Sequence, residues 1–280
     1  MGETLGDRFA RLIADSGPIP VTRYMGESNA HYYATRDPLG APAEAGGGDF
    51  VTAPEITQMF GELVGLWLAD LWQRAGRPEG AIYAELGPGR GTLAKDALRA
   101  MAGASCRPQI HLVEGSPALR KVQAAAVPGA RFHDDASALP TGHPLLLVAN
   151  EFLDALPIRQ LVRAADGWRE RMVGLRDGAL AFIAGPVVLD PLLPALPENA
   201  PEDTILEVNP GAAAVIGEIA DRIARDGGAA LFVDYGYLAP RTGSTLQAMR
   251  AHRKIGALDA PGEADLSAHV DFAALAAIAR

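Results

Sequence analysis

Apolar residues recur at helical spacing over the stretch that follows the sequence TAPE at 52–55. Thr52 with Glu55 three residues later is typical of a capping box, and a proline in the first turn also favours a helix start. The residues spaced for one face are Ile56, Met59, Phe60, Leu63, Val64, Trp67, Leu68, Leu71 and Trp72. We therefore predict an amphipathic helix whose apolar face, tryptophans included, lies in a core.

Between residues 81 and 157, short apolar segments alternate with helical patterns. The predicted strands are AIYAEL (81–86), QIHLVE (109–114), ARFHDD (130–135) and HPLLLVAN (143–150). The predicted helices run from Gly91 to Met101 and from Pro117 to Ala126. Strands separated by helices of about ten residues indicate crossover units and hence a parallel sheet.

The pattern changes after Pro157. IRQLVRAADGWRERMVGLRDGALAFIAG (158–185) has turn centres at Asp166-Gly167 and Asp177-Gly178 between alternating segments, which predicts an inserted antiparallel meander. The stretch PVVLDPLLPALPENAPED (186–203) is a predicted proline-rich loop. A helix from Ala212 to Arg225 and a buried strand at GGAALFVDYG (227–236) follow, and the remainder is predicted to be loop-like until a final helix near Phe272.

The first part of the chain is less regular. A short helix is predicted from Leu5 to Ala14, and the polar stretch from Pro18 to Asp49, with three tyrosines and the run AEAGGG, is predicted to be loop-rich. The fold class is therefore α/β: a doubly wound, mostly parallel sheet with a helical and loop-rich N-terminal extension and an inserted antiparallel meander. We divide the chain into 1–80 (extension and packing helix), 81–157 (first half of the sheet), 158–200 (meander and loop) and 201–280 (second half).

Composition and charge argue against several classes of protein. The net charge of −9, without a lysine- or arginine-rich run, argues against sequence-independent nucleic-acid binding. The single cysteine, Cys106, excludes an internal disulfide, and its polar surroundings predict a surface loop. No stretch approaches the roughly 18 apolar residues of a membrane span, and three acidic residues among the first fifteen argue against a targeting leader. The expected location is cytoplasmic, or the mitochondrial matrix in a eukaryote.

The turn ELGPGRG places glycines at 87, 89 and 91 between a predicted strand and a predicted helix. It lacks the lysine of a triphosphate-binding loop, and Thr92 stands where the third glycine of a dinucleotide fingerprint belongs. Glu85, at the strand's end, would repel a pyrophosphate but suits a cationic ligand. S-adenosylmethionine carries an ammonium and a sulfonium and no phosphate. Its carboxylate could accept hydrogen bonds from the helix N-terminus.

Acidic residues also close the next two strands. Glu114 ends the second strand, where a carboxylate can accept both hydroxyls of a ribose. Asp134 and Asp135 end the third, where one of them can accept from an adenine amino group; we favour Asp134, with Asp135 as the alternative. A helix cap at Glu114 and a solvated turn at Asp134-Asp135 are the structural alternatives.

These blocks together resemble a known family. GDFVTAPEITQMFGELVGLWLADLW, AELGPGRGTLAKDAL, HLVEGSPALRKVQ, ANEFLDALPIRQ, WRERMV and GGAALFVDYGY are similar to segments of the MidA-like family of class I S-adenosylmethionine-dependent methyltransferases. That family includes a mitochondrial complex I assembly factor that methylates an arginine. The resemblance implies a seven-stranded sheet, S-adenosylmethionine as cofactor, and cofactor contacts at Glu85, Gly87, Gly89, Gly91 and Glu114. Because the family continues several dozen residues past Arg280, the last two sheet strands are expected to be missing or truncated.

The fourth predicted strand ends in Asn150-Glu151-Phe152-Leu153-Asp154. Ligands of open α/β sheets lie beyond the carboxyl ends of the strands, so we expect Asn150 to contact the cofactor. Glu151 and Asp154 could present two carboxylates to a guanidinium and serve catalysis, as in the acidic loop of arginine methyltransferases. Alternatively, Asp154 caps a turn and only Glu151 faces the site. No histidine spacing indicates a metal.

The leading hypothesis is a protein arginine N-methyltransferase acting on a respiratory complex I-type subunit. Methylation of a small molecule is an alternative, and an assembly chaperone that binds the cofactor without essential catalysis is another. A dehydrogenase is disfavoured by the glycine spacing and by Glu85. The sequence leaves the acceptor, the degree of methylation and the oligomeric state, a homodimer included, undetermined.

Overall fold

The computed structural model describes residues 2–35, 52–188 and 199–280. The AEAGGG run and most of the predicted proline-rich loop lie outside these residues. The helices of the described residues are α1 Leu5–Ser16, α2 Val21–Thr35, α3 Ala53–Ile56, α4 Gln58–Arg74, α5 Thr92–Gly103, α6 Pro117–Ala126, α7 Pro210–Asp226 and α8 Phe272–Ile278, with a 3₁₀ turn at Ala136–Ala138. None of these helices is long and apolar enough to cross a membrane.

Short strands make up the rest of the regular structure. They are β1 Ile19–Pro20, β2 Ile82–Leu86, β3 Gln109–Val113, β4 Arg131–His133, β5 Leu145–Asn150, β6 Arg159–Ala164, β7 Gly167–Arg176, β8 Ala179–Val188, β9 Ile205–Val208, β10 Gly228–Val233, β11 Gly236–Tyr237, β12 Gln247–Arg250, β13 Arg253–Ile255, β14 Asp265–Ser267 and β15 Val270–Asp271.

The chain forms two compact units, each assembled from separate segments. Val51–Leu153, Ala213–Tyr235 and Leu275–Arg280 make up what we call the parallel-sheet unit. Met1–Phe50, Asp154–Ala212 and Gly236–Ala274 make up the mixed unit.

The parallel-sheet unit contains five strands in the order β10-β5-β2-β3-β4, and every neighbouring pair is parallel. The predicted parallel sheet is therefore confirmed. Chain order runs outward from β2 in one direction through β3 and β4, and in the other through β5 and β10. The direction of winding thus switches between β2 and β5, which is where open α/β sheets bind ligands at the carboxyl ends of the strands.

Both faces of this sheet are covered. One face packs Tyr83, Leu112 and Val148 against α4 and α5. The other face packs Ile82, Val113 and Leu147 against α7 and the 3₁₀ turn. Because β2 and the first five residues of β5 are buried on both faces, these strands are apolar throughout except for Glu85 in β2. Cys106 belongs to the first of these cores, so its predicted place on a surface loop is wrong.

Helix α4 buries only part of the face that its large apolar residues predict: Val64 and Leu68 are in the core, and Phe60 and Trp72 pack against it. Its buried residues are Gly61, Val64, Gly65, Leu68 and Ala69, whereas Met59, Leu63, Leu66 and Trp67 are exposed. The small residues decide this orientation because α5 comes very close. A Cβ atom added at Gly65 would lie 2.2 Å from the Ala97 carbonyl oxygen. Close approach of two backbones outweighs the burial of larger side chains here.

The predicted capping box at TAPE is also wrong. The Thr52 side chain makes no capping hydrogen bond, and α3 ends at Ile56. The long helix begins at Gln58, where the Thr57 hydroxyl accepts from the Met59 N–H. Glu55 is not available to close a box, because its carboxylate accepts a 2.5 Å hydrogen bond from the Thr92 hydroxyl.

The mixed unit holds the inserted meander, and β6, β7 and β8 pair antiparallel as predicted. Asp177 and Gly178 form the second turn, both with positive φ (53° and 81°), as a two-residue turn of this hand requires. The first turn is centred one residue earlier than predicted, because Ala164 pairs with Gly167. The stretch predicted to be loop-like after the last buried strand instead forms the antiparallel sheet β13-β12-β14.

Helix α2 occupies Val21–Thr35 of the stretch that was predicted to be loop-rich from Pro18 to Asp49, and residues 36–49 of that stretch lie outside the described residues. Tyr24, Met25 and Tyr32 are fully buried in the core of the mixed unit. Its polar Asn29 is buried as well, and its amide donates to the carbonyls of Ala155 and Leu266 and accepts from the Leu266 N–H. The segment is polar, and the hydrogen bonds that allow it to be buried involve residues far along the chain, so its sequence alone does not indicate a packed helix.

Candidate functional site

The glycine turn connects β2 to α5 in the parallel-sheet unit. Gly87, Gly89 and Gly91 have φ values of 63°, 53° and 81°. These lie in the left-handed region, where side chains are disfavoured, so the path of the turn requires glycine. Gly91 is the N-cap of α5 and has no side chain to cap it. The turn therefore brings open backbone to the start of a helix, an arrangement suited to a carboxylate.

Glu85 lies in β2, two residues before the turn, and is 3% exposed. The Tyr83 hydroxyl donates a 2.6 Å hydrogen bond to its Oε2. Burial raises the pKa of Glu85 to about 7, and the hydrogen bond from Tyr83 only partly opposes this rise. A carboxyl group that is costly to ionise would gain from a cationic ligand nearby, because a positive charge favours its charged form.

Glu114 follows β3 and is held on both carboxylate oxygens. Its Oε1 accepts from the Ser116 N–H at 2.8 Å, and its Oε2 accepts from the Gln123 amide at 3.0 Å. Arg120 donates to the Glu114 carbonyl at 2.6 Å. The Gln123 amide also donates to the Gly89 carbonyl at 2.7 Å. The predicted ribose-binding carboxylate is thus fixed in place before any ligand binds.

Arg120 and Gln123 did not emerge from the sequence as site residues. The signal that could have identified them is their spacing, because positions 116, 120 and 123 share one face of a helix that starts at Pro117. That face carries polar groups in a helix otherwise rich in alanine.

Asp134 and Asp135 follow β4 and have different partners. Asp134 forms an ion pair with Arg120 at 2.6 Å, and its side chain is 92% exposed. Asp135 caps the 3₁₀ turn, where its carboxylate accepts from the N–H and hydroxyl of Ser137. These hydrogen bonds lower the pKa of Asp135. Both residues are exposed, and the contact of Asp134 with adenine stays a prediction.

The segment after β5 packs on the glycine turn. A Cβ added at Gly87 would lie 2.9 Å from Cδ2 of Phe152. Glu151 has a positive φ of 49°, which is unusual for a residue with a side chain, and its N–H bonds to the Val233 carbonyl at 2.8 Å. Such strained residues cluster at functional sites. The Asn150 amide lies 3.5 Å from the Glu151 carboxylate, a long hydrogen bond.

Asp234, at the end of β10, supports the same segment from the neighbouring strand. Its carboxylate accepts from the backbone N–H groups of Leu153 and Tyr235, at 2.9 and 2.8 Å. Glu85, the three glycines, Glu114, Asn150 and Glu151 thus all belong to the parallel-sheet unit, at the end where its strands finish. Asp154 belongs to the mixed unit, where its carbonyl accepts from the Ala268 N–H.

Several known proteins similar to this chain are described as methyltransferases. A family model described as "Putative S-adenosyl-L-methionine-dependent methyltransferase" matches residues 63–280. The mitochondrial protein arginine methyltransferase NDUFAF7 of Xenopus tropicalis is 38% identical over 296 residues, covering 93% of this chain and 67% of its own. NDUFAF7 of Homo sapiens is 35% identical, covering 96% of this chain and 67% of its own.

A solved structure agrees with the fold. The crystal structure of a COG1565 superfamily member from Burkholderia thailandensis bound to S-adenosyl-homocysteine has a TM-score of 0.81 and 28% identity, over 97% of this chain and 74% of that one. The chain spans about two thirds of the length of the curated relatives. The glycine turn, the acidic strand ends and these similarities together place the chain in the family of MidA-like, S-adenosylmethionine-dependent methyltransferases.

Proposed function

We propose that this chain transfers a methyl group from S-adenosylmethionine to a guanidinium nitrogen of an arginine in a protein, with a subunit of a respiratory complex I-type assembly as the acceptor. The observation that carries the proposal is the buried carboxyl group of Glu85 beside a turn whose three glycines bring open backbone to the start of α5. The turn lacks the lysine of a triphosphate-binding loop, and the buried acid favours a cationic ligand. The names of the curated relatives support the arginine acceptor.

The residues of the parallel-sheet unit fit the cofactor group by group. Glu85 would attract the ammonium, and the uncapped start of α5 would receive the carboxylate. Glu114 would accept the two ribose hydroxyls, while Asp134 would accept from the adenine amino group. Asn150 would contact the cofactor from the end of β5. When bound, S-adenosylmethionine supplies a methyl group activated by its sulfonium, and the electron pair of the broken carbon–sulfur bond stays on sulfur.

Glu151 is the proposed acceptor-binding and catalytic carboxylate. An arginine side chain is protonated at neutral pH, so transfer requires its nitrogen to be aligned and a proton to leave that nitrogen. A carboxylate can hold two guanidinium N–H groups through charge-assisted hydrogen bonds and accept the proton. Asp154 stays the second carboxylate predicted from the sequence.

Calorimetric titration tests the cofactor assignment. The chain is expected to bind S-adenosylmethionine and S-adenosylhomocysteine saturably and not to bind NADH. The Glu85→Gln variant removes the charge and keeps the shape, and should bind more weakly. Saturable NADH binding, or no binding of either S-adenosyl compound by the folded chain, would contradict the assignment.

A second experiment tests the transfer. The chain is incubated with methyl-labelled S-adenosylmethionine and purified subunits of the respiratory complex, and modified residues are located by peptide mass spectrometry. Label on an arginine is expected. The Glu151→Gln variant should bind cofactor normally and lose transfer. If Glu151→Gln still supports complex assembly in cells, the protein acts as a cofactor-binding chaperone instead.

A further inference from the structure

Gln123 connects two parts of the cofactor site that are far apart in sequence. It lies on α6, is fully buried, and belongs to the parallel-sheet unit. Its amide nitrogen donates to the Gly89 carbonyl at the centre of the glycine turn and to the Glu114 carboxylate. One side chain therefore touches both the turn and the predicted ribose-binding acid.

The orientation of the Gln123 amide follows from its partners. Both partners are acceptors, so the NH₂ group must face them, and a flipped amide would set its oxygen against a carboxylate and a carbonyl. The oxygen Oε1 is buried and has no hydrogen-bond partner among the described residues. A buried amide with an unsatisfied oxygen is costly for a fold, and the two hydrogen bonds that its nitrogen donates offset that cost here.

The Glu114 carboxylate is left with capacity for a ligand. Each of its oxygens accepts one hydrogen bond from the protein, from Ser116 or from Gln123. A carboxylate has about four acceptor sites, so both oxygens can still accept from a diol. A ligand hydroxyl on Oε2 would share that oxygen with Gln123. A movement of the carboxylate would therefore shift the Gln123 amide, which also donates to the Gly89 carbonyl.

We propose that Gln123 is a positioning residue that couples recognition of the ribose hydroxyls at Glu114 to the conformation of the glycine turn. The inference rests on the proposed function, because Glu114 must be the ribose-binding acid. The hydrogen-bond partners of the Gln123 amide are Gly89 and Glu114, so its proposed role is to position these two groups. Through Gln123, binding of the ribose hydroxyls at Glu114 orders the backbone of Gly87–Gly91.

Two ligands and three proteins test the coupling. S-adenosylhomocysteine and its 2′,3′-dideoxy analogue are titrated into the wild-type chain, Gln123→Leu and the control Val122→Ala, which alters a half-exposed neighbour on the same helix. For Gln123→Leu, the affinity for S-adenosylhomocysteine should fall about tenfold to a hundredfold, since a hydrogen bond to a charged group is lost. Affinity for the dideoxy analogue should fall less than threefold. Val122→Ala should match the wild type for both ligands.

Equal losses for the two ligands would overturn the proposal, because they would show a general structural effect, and so would unchanged affinities. Hydrogen exchange on the wild-type chain gives a second test that does not depend on whether Gln123→Leu folds. S-adenosylhomocysteine should protect the amides of Gly89–Gly91 more strongly than the saturating dideoxy analogue does. Equal protection would refute the coupling. Failure of the wild type to bind S-adenosylhomocysteine would instead refute the proposed function.

Discussion

With Glu85 as the proposed contact of the cofactor's ammonium group, the raised pKa of Glu85 predicts that cofactor affinity depends on pH. In the unliganded chain burial raises this pKa to about 7. The carboxyl group is then about one tenth ionised at pH 6 and about nine tenths ionised at pH 8. If the cationic ligand binds the ionised form, its affinity should rise about tenfold between these two values, with the association of ligand and the release of a proton linked.

Titration calorimetry in two buffers of different ionisation enthalpy measures this linkage. Binding of S-adenosylhomocysteine at pH 6 should release about 0.9 proton, and binding at pH 8 about 0.1. The Glu85→Gln variant cannot ionise, so it reports any pH dependence that belongs to the ligand itself. The reasoning is refuted if affinity falls with pH, or if wild type and Glu85→Gln release equal numbers of protons at pH 6.

The same ionisation affects stability with the opposite sign. The folded pKa of Glu85 lies above its unfolded value of 4.5, so the folded state binds more protons between pH 4.5 and about 7. Its contribution to the free energy of unfolding is present at low pH and is lost as pH rises through this range. A shift of this size corresponds to about 3 kcal/mol. A bound cationic ligand should cancel this loss.

Three further predictions concern the fold. Replacing Gly65 with alanine should destabilise the chain by about 3 kcal/mol or more in chemical denaturation, since the added Cβ would overlap the backbone of Ala97 on α5; a loss under 1 kcal/mol would show that the helices can separate. Burial, with the neighbouring His133, lowers the pKa of His111 to about 4, so this group's stabilisation is present above pH 6.5 and lost as pH falls to 4. Denaturation of Glu85→Gln, which removes the opposing ionisation, should reveal about 3 kcal/mol lost over that range, and a flat profile would contradict it. Replacing Asn29 with leucine should cost about 2–4 kcal/mol, because three backbone groups, two of them in buried hydrogen bonds, lose their partner. An unchanged denaturation midpoint would contradict the role of this amide.

Alternation of apolar strands with helices was enough to predict the parallel sheet. Strands buried on both faces must be continuous apolar runs, and short crossovers leave few topologies for them. The glycine turn could also be predicted from the sequence, because its backbone conformation constrains residue type. Positive φ at three positions in five residues favours glycine whatever surrounds them, so the spacing of the glycines alone predicts the left-handed backbone of the turn.

Other features depended on partners far along the chain. The buried face of α4 is only partly predicted by its large apolar residues, because the contact with α5 selects Gly61 and Gly65 over larger residues. Helix α2 looked like a loop because Asn29 finds its hydrogen bonds more than a hundred residues away. The β12–β14 sheet was missed because its strands are only three or four residues long.

Some features of the candidate site could likewise be predicted from the sequence, and others depended on the tertiary structure. The sequence by itself determined the glycine turn and the acids Glu85 and Glu114, because backbone freedom and charge at a strand end are local properties. Only the tertiary structure showed that Gln123 holds Glu114 to the turn, that Arg120 pairs with Asp134, and that burial raises the pKa of Glu85. Hydrogen bonding and desolvation depend on which groups meet in space, and that is decided when distant segments pack together.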